Sequence, residues 1–99
     1  MIERIVTTQS NEATSALFGA FDINARLIEK AFDVRLSNRN SDTESGDAVV
    51  VTGEAQNVDY AVRTLEYLKR MIGDGESISQ ESIEYVIALV RDGLDGEAE

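Results

Sequence analysis

Seven residues in the first forty have the types and spacing to hold a phosphate: Gly19, Phe21, Asn24, Arg26, Lys30, Arg35 and Arg39. Gly19 interrupts an apolar stretch and, lacking a Cβ, takes a positive φ at no steric cost, so the backbone can turn tightly there. Arg26 and Lys30 stand four apart, on one face if the segment is helical, and Arg35 and Arg39 follow as the rest of the only basic cluster. Such contacts ignore base sequence and weaken with salt. Phe21 is a loop aromatic of the kind on which a base stacks, whereas Phe18 and Phe32 sit beside apolar stripes and read as core. Asp22 opposes this chemistry. A carboxylate about 4 Å from a phosphate costs roughly 1 kcal/mol in bulk water and about 4 kcal/mol at an effective dielectric near 20. As a residue type, Asp22 is better suited to capping a helix, accepting from amides near Asn24 and Ala25 for about 1 kcal/mol. The basic side chains likewise fit a solvated surface.

Other chemistries lack their residues. With no cysteine and no histidine there is no thiol nucleophile, imidazole base, disulfide or ordinary structural zinc site. Acids such as Glu81 with Glu84, or Asp92 with Asp95, sit at helical neighbour spacing on a polar face, without surroundings that suit them to proton transfer. The stretch from Asp42 to Asp47 fails as a calcium loop. Its glycine falls one position early, and Gly53 stands where a bidentate glutamate is required. No GxxxxGK[ST] motif is present to cradle nucleotide phosphates. The chain is therefore expected to be no enzyme, with no cofactor and no metal.

Ninety-nine residues suit one domain, expected over 1–93, with a frayed acidic tail at 94–99. The net charge of −10 belongs to the second half: residues 1–40 hold five basic and five acidic side chains, residues 41–99 four and fourteen. Such an excess favours solubility and leaves the first half able to present a small basic face. Apolar runs such as Tyr85 to Val90 fall far short of the roughly 20 residues of a membrane helix, and the N-terminus lacks a signal peptide's pattern. A cytoplasmic location is the expectation.

The elements that must position these residues are legible from periodicity. β-Branched content favours a strand over Met1 to Thr8. Asn11 caps a short helix over Glu12 to Phe18, burying Ala13, Ala16 and Leu17, which Gly19 ends. A second helix follows Asp22, with Ile23, Leu27, Ile28 and Ala31 inward and Arg26, Glu29 and Lys30 outward. Val34 and Leu36 alternate with Arg35 and Ser37 as a strand, which forms a hairpin with the apolar strand from Asp47 to Gly53 across a mobile loop, Asn38 to Gly46. Val58, Ala61, Val62, Leu65, Leu68 and Ile72 stripe a long helix that Gly73-Asp74-Gly75 stops. Ser79 starts a last helix, with Ile78 and Ile83 as a hydrophobic staple and Ile83, Val86, Ile87 and Val90 buried, up to Gly93. The fold class is α+β: a three-stranded antiparallel sheet with helices on one face and an additional C-terminal helix.

This order, β-α-α-β-β-α plus one helix, resembles a type I KH domain, in which a GxxG loop between the first two helices clamps nucleic-acid backbone. Gly19, Ile28-Glu29, Phe32-Asp33-Val34 and Val49-Val50-Val51-Thr52-Gly53 carry the likeness. More closely, Leu17-Phe18-Gly19, Phe21-Asp22-x-Asn24, Leu27-Ile28-Glu29, Val51-Thr52-Gly53 and Ile78-Ser79-x-x-Ser82-Ile83-x-Tyr85 resemble the N-terminal KH-like domain of the PhoH-like proteins. These form a bacterial, phosphate-starvation-inducible type of P-loop ATPase, and the likeness covers roughly residues 15–93. The loop departs from a KH clamp, having glycine at one end only. The resemblance implies a non-catalytic module that binds single-stranded RNA or directs its parent to RNA or to an RNA-processing partner. ATP and Mg are implied only for the ATPase domain, which lies outside this chain. The alternative is a protein-interaction or oligomerisation module with a degenerate loop, packing on the ATPase or forming a homo-oligomer.

Overall fold

Seven elements follow one another in the computed structural model, which describes residues 1–8, 11–19, 22–39 and 48–94. They are β1 (Ile2–Thr7), α1 (Asn11–Phe18), α2 (Ile23–Phe32), β2 (Arg35–Arg39), β3 (Ala48–Gly53), α3 (Ala55–Gly73) and α4 (Gln80–Arg91). The expected hairpin partners are neighbours, and β3 is the middle strand of the order β1-β3-β2, antiparallel to both. Composition explains its place. Ala48, Val49, Val50 and Val51 form an uninterrupted apolar run, all buried, whereas β1 and β2 intersperse charged and polar residues that tolerate an edge.

Register sorts the side chains by face. Val6, Val49, Val51 and Leu36 enter the hydrophobic core, while Ile5, Val50 and Ser37, with Glu3, Thr52 and Arg35, share the other side. Apart from Val34, just before β2, the core takes its remaining members from the helices and excludes Ala48 and Val50, so the helices cover one face of the sheet. The α+β architecture expected from periodicity is therefore present.

Helix α3 forms the spine of this layer. Val58, Ala61, Leu65 and Leu68 are essentially inaccessible along its inner stripe, with Val62 and Thr64 beside them and Ile72 half-buried at the end. Thr64 satisfies its hydroxyl by donating to the Tyr60 carbonyl at 2.9 Å. At the start of α4 the Ser79 hydroxyl caps the helix by accepting from the Ser82 amide at 3.2 Å, and Ile83, Val86, Ile87 and Val90 are all buried. Arg91 then reaches across the fold. Its guanidinium donates to the Ala31 carbonyl in the last turn of α2 and lies 5.3 Å from the centre of the Phe32 ring, itself 5.7 Å from Tyr60.

Three expectations need correction. The buried face of α2 is Asn24, Ala25, Ile28 and Phe32, with Ile23 about half exposed and Leu27 and Ala31 only partly covered. A polar residue holds a core position there, which an apolar stripe does not reveal. In α1 the helix includes Asn11, Ala16 is exposed, and among the described side chains the buried ones are Thr14, Leu17 and Phe18, with the expected burial of Ala13 lying outside them. Thr14 is tolerated because its hydroxyl pairs with that of buried Thr8 at 2.6 Å, joining α1 to the end of β1. Finally, β2 continues through Asn38 and Arg39, since ladder pairing to Val49 and Ala48 outweighs their polar character. The remaining expected loop, 40–46, and the tail, 95–99, lie outside the described residues.

Candidate nucleic-acid interface at the Gly19 elbow

Helix α1 ends where Gly19 turns left-handed at φ 77°, its amide donating to the Ser15 carbonyl at 2.9 Å. Asp22 closes the turn through its own amide, which donates to the Gly19 carbonyl at 3.1 Å, and α2 departs from there. The expected carboxylate cap is absent. Asp22 is left-handed (φ 59°, ψ 27°) and makes no side-chain cap bond, because a capping oxygen reaches the first-turn amides from an extended backbone. The N-terminus of α2 therefore carries its partial positive charge without a carboxylate pinned beneath it. Asp22 itself is exposed.

Asn24 explains why position 19 is glycine beyond its positive φ. A Cβ built there would fall 2.7 Å from Nδ2 and 2.9 Å from Cγ of Asn24, closer than real contacts allow. Asn24 is 4% exposed, and its carboxamide has no hydrogen-bond partner among the described residues. The side chain thus sets the shape of the elbow from inside rather than meeting a ligand at the surface.

The basic cluster divides. Arg26 and Lys30 are exposed one turn apart on α2, and neither makes an ion pair among the described residues. Arg35 belongs to the row with Thr52 and Glu3 on the sheet face away from the helices, so strand alternation separates it from the α2 pair. Arg39 pairs its backbone with Ala48, and its side chain lies outside the described residues, as does Phe21. Phe18 and Phe32 are core residues.

Glu29 was expected to face outward with its neighbours. It is half-buried instead, and its Oε2 accepts the Leu36 amide at 2.9 Å, joining α2 to the free edge of β2. That amide is an edge donor which an extended chain or a base would otherwise use. Nothing in the sequence distinguished this acid from one on a solvated helix face.

Elsewhere, a shallow depression of about 520 Å³ is lined by Met1, Asp33, Val34, Arg35, Thr52, Gly53 and Glu54. Its charges are of both signs. Among the described residues, no group of three or more Asp or Glu is placed to hold a metal ion, and no helix is long and apolar enough to cross a membrane. Models of known families, characterised proteins and solved structures give no match to this chain.

Proposed function

We propose that this chain is a non-catalytic, KH-like module of the PhoH-like kind, which directs an attached P-loop ATPase to RNA in the cytoplasm. One observation carries the reading: a left-handed glycine elbow delivers the chain onto the N-terminus of α2, which has no side-chain cap, with Arg26 and Lys30 along the exposed face of that helix. Amides at a helix N-terminus and two cations on one face suit a single backbone phosphate or two. The motifs from Leu17 to Tyr85 support the family, and the order of elements with the sheet order β1-β3-β2 supports the KH-like form.

Binding on this reading is weak and strongly salt-dependent, since the chain as a whole is acidic. The test is a titration of the 99-residue chain with labelled single-stranded RNA at low salt. The reading expects a signal that fades with salt, with Arg26→Ala and Lys30→Ala each lowering the salt slope by about one. No signal at protein concentrations of about 1 mM would remove direct RNA binding.

A second reading, docking on protein rather than RNA, is favoured by Glu29 and Arg35. Glu29 occupies the Leu36 edge amide beside α2, and Arg35 faces away from the α2 cations, so the usual partners of a backbone clamp do not converge.

A further inference from the structure

Strands β1 and β2 are the two outer strands of the sheet, and their free edges are treated differently. At β2 the Leu36 amide is taken by Glu29. Hydrogen bonding alternates along an antiparallel strand, so an amide directed off the ladder makes Leu36 and Val51 a pair whose backbone groups point away from each other. Val51 is then bonded toward β1, as are Val49 and Gly53, and their partners Arg4, Val6 and Ile2 turn their backbone groups inward. Glu3, Ile5 and Thr7 turn theirs outward. All three are exposed, Ile5 by 50%, and among the described residues nothing takes their outward amides or carbonyls. Glu29 thus occupies an amide on the β2 edge, and among the described residues no group does the same on the β1 edge.

We propose that β1 pairs antiparallel with β1 of a second copy of this chain, about a two-fold axis at Ile5, joining the two sheets into one of six strands. The sequence of β1 selects this register. Outward groups must meet outward groups, and like charges directly opposite are destabilising. An axis at Glu3 sets Glu3 against itself, and an axis at Arg4 sets Arg4 against itself. An axis at Val6 overlaps only Ile5 to Thr7. The axis at Ile5 pairs Ile5 with Ile5, Glu3 with Thr7 and Arg4 with Val6, covering an exposed isoleucine with no charge facing its own kind. A homodimer gives the protein-docking reading one partner and rests on that reading only for its purpose; the contact forms whether or not RNA binds.

Salt separates the two activities. Each copy carries a net charge of −10, so repulsion opposes pairing and added salt favours it, whereas salt weakens phosphate binding. The experiment uses light scattering on the full chain from dilute solution to about 1 mM, at low and high salt. Mass should rise toward twice the monomer with concentration and with salt, while Ile5→Lys stays monomeric with an unchanged circular dichroism spectrum. The chain has no cysteine, so Ile5→Cys adds a single thiol. Directly bonded partners lie about 5.5 Å apart at Cα, within disulfide reach, and Ile5→Cys should oxidise to a dimer about tenfold faster than Ser37→Cys on the opposite edge strand. A wild-type monomer at every concentration and salt, or equal oxidation rates of the two thiols, would overturn the proposal.

Discussion

The carboxamide of Asn24 occupies the space into which any side chain at Gly19 would project, with Nδ2 2.7 Å from the position of a Cβ. Backbone conformation and packing therefore both demand glycine at the elbow, and substitution separates the two demands. Gly19→Ala carries the strain of a left-handed alanine, about 1–2 kcal/mol, and in addition displaces buried Asn24. Gly75, at φ 86° with nothing within 4 Å of its Cβ position, carries the strain alone. Thermal unfolding should show Gly19→Ala less stable than Gly75→Ala by about 1 kcal/mol or more, some 4–8 °C for a domain of this size. Equal losses would show that Asn24 yields freely.

Removing the Glu29 carboxylate exposes the edge of β2. A hydrogen bond to a charged group is worth about 1.5–3 kcal/mol, and this one is only part-buried, so Glu29→Ala should cost about 1 kcal/mol. Glu29→Gln, which keeps an acceptor at the same reach, should retain most of that. Amide hydrogen exchange gives the local readout: the Leu36 amide should exchange faster in Glu29→Ala than in Glu29→Gln, and amides in α4 should serve as unchanged controls.

Arg91 fastens the last helix to the end of α2 through one carbonyl and one ring. Lysine keeps the charge but not the planar group that lies over Phe32 while donating to Ala31. Both Arg91→Ala and Arg91→Lys should lower the unfolding midpoint, by about 1 kcal/mol for alanine, with lysine closer to alanine than to wild type. Chemical denaturation measures this, and full rescue by lysine would mean that charge at the end of α2 is the whole effect.

Leu65 lies at the middle of the α3 stripe and is 1% exposed. Leu65→Ala should cost about 2–5 kcal/mol, a large share of the stability expected of a domain this small. The midpoint of a urea transition reports it.

What was legible in the sequence follows from how each residue is chosen. The stripes of α3 and α4 and the alternation of Val34 to Ser37 are carried by apolar residues at regular spacing, and the structure buries nearly all of them. Gly19 announced its turn because few residues tolerate a positive φ. Asn24, Thr8 and Thr14 were missed as interior positions, since polar side chains become buried only when a particular neighbour accommodates them, and that neighbour is a matter of three dimensions. Asp22 was misread for a related reason. Its type suits a cap, but capping depends on a backbone conformation that the preceding glycine turn does not provide. The basic cluster looked continuous from Arg26 to Arg39 because linear proximity conceals the alternation of a strand, which sends Arg35 to the far face.

The most direct test of the central claim is an amide-resolved NMR titration of the 99-residue chain with single-stranded RNA at low salt. Shifts should concentrate at Gly19, Ile23, Asn24, Arg26 and Lys30 and reverse on adding salt, with the Arg35 face unmoved. Spectra unchanged at about 1 mM RNA, or shifts confined to the sheet face of Glu3, Thr52 and Arg35, would contradict it.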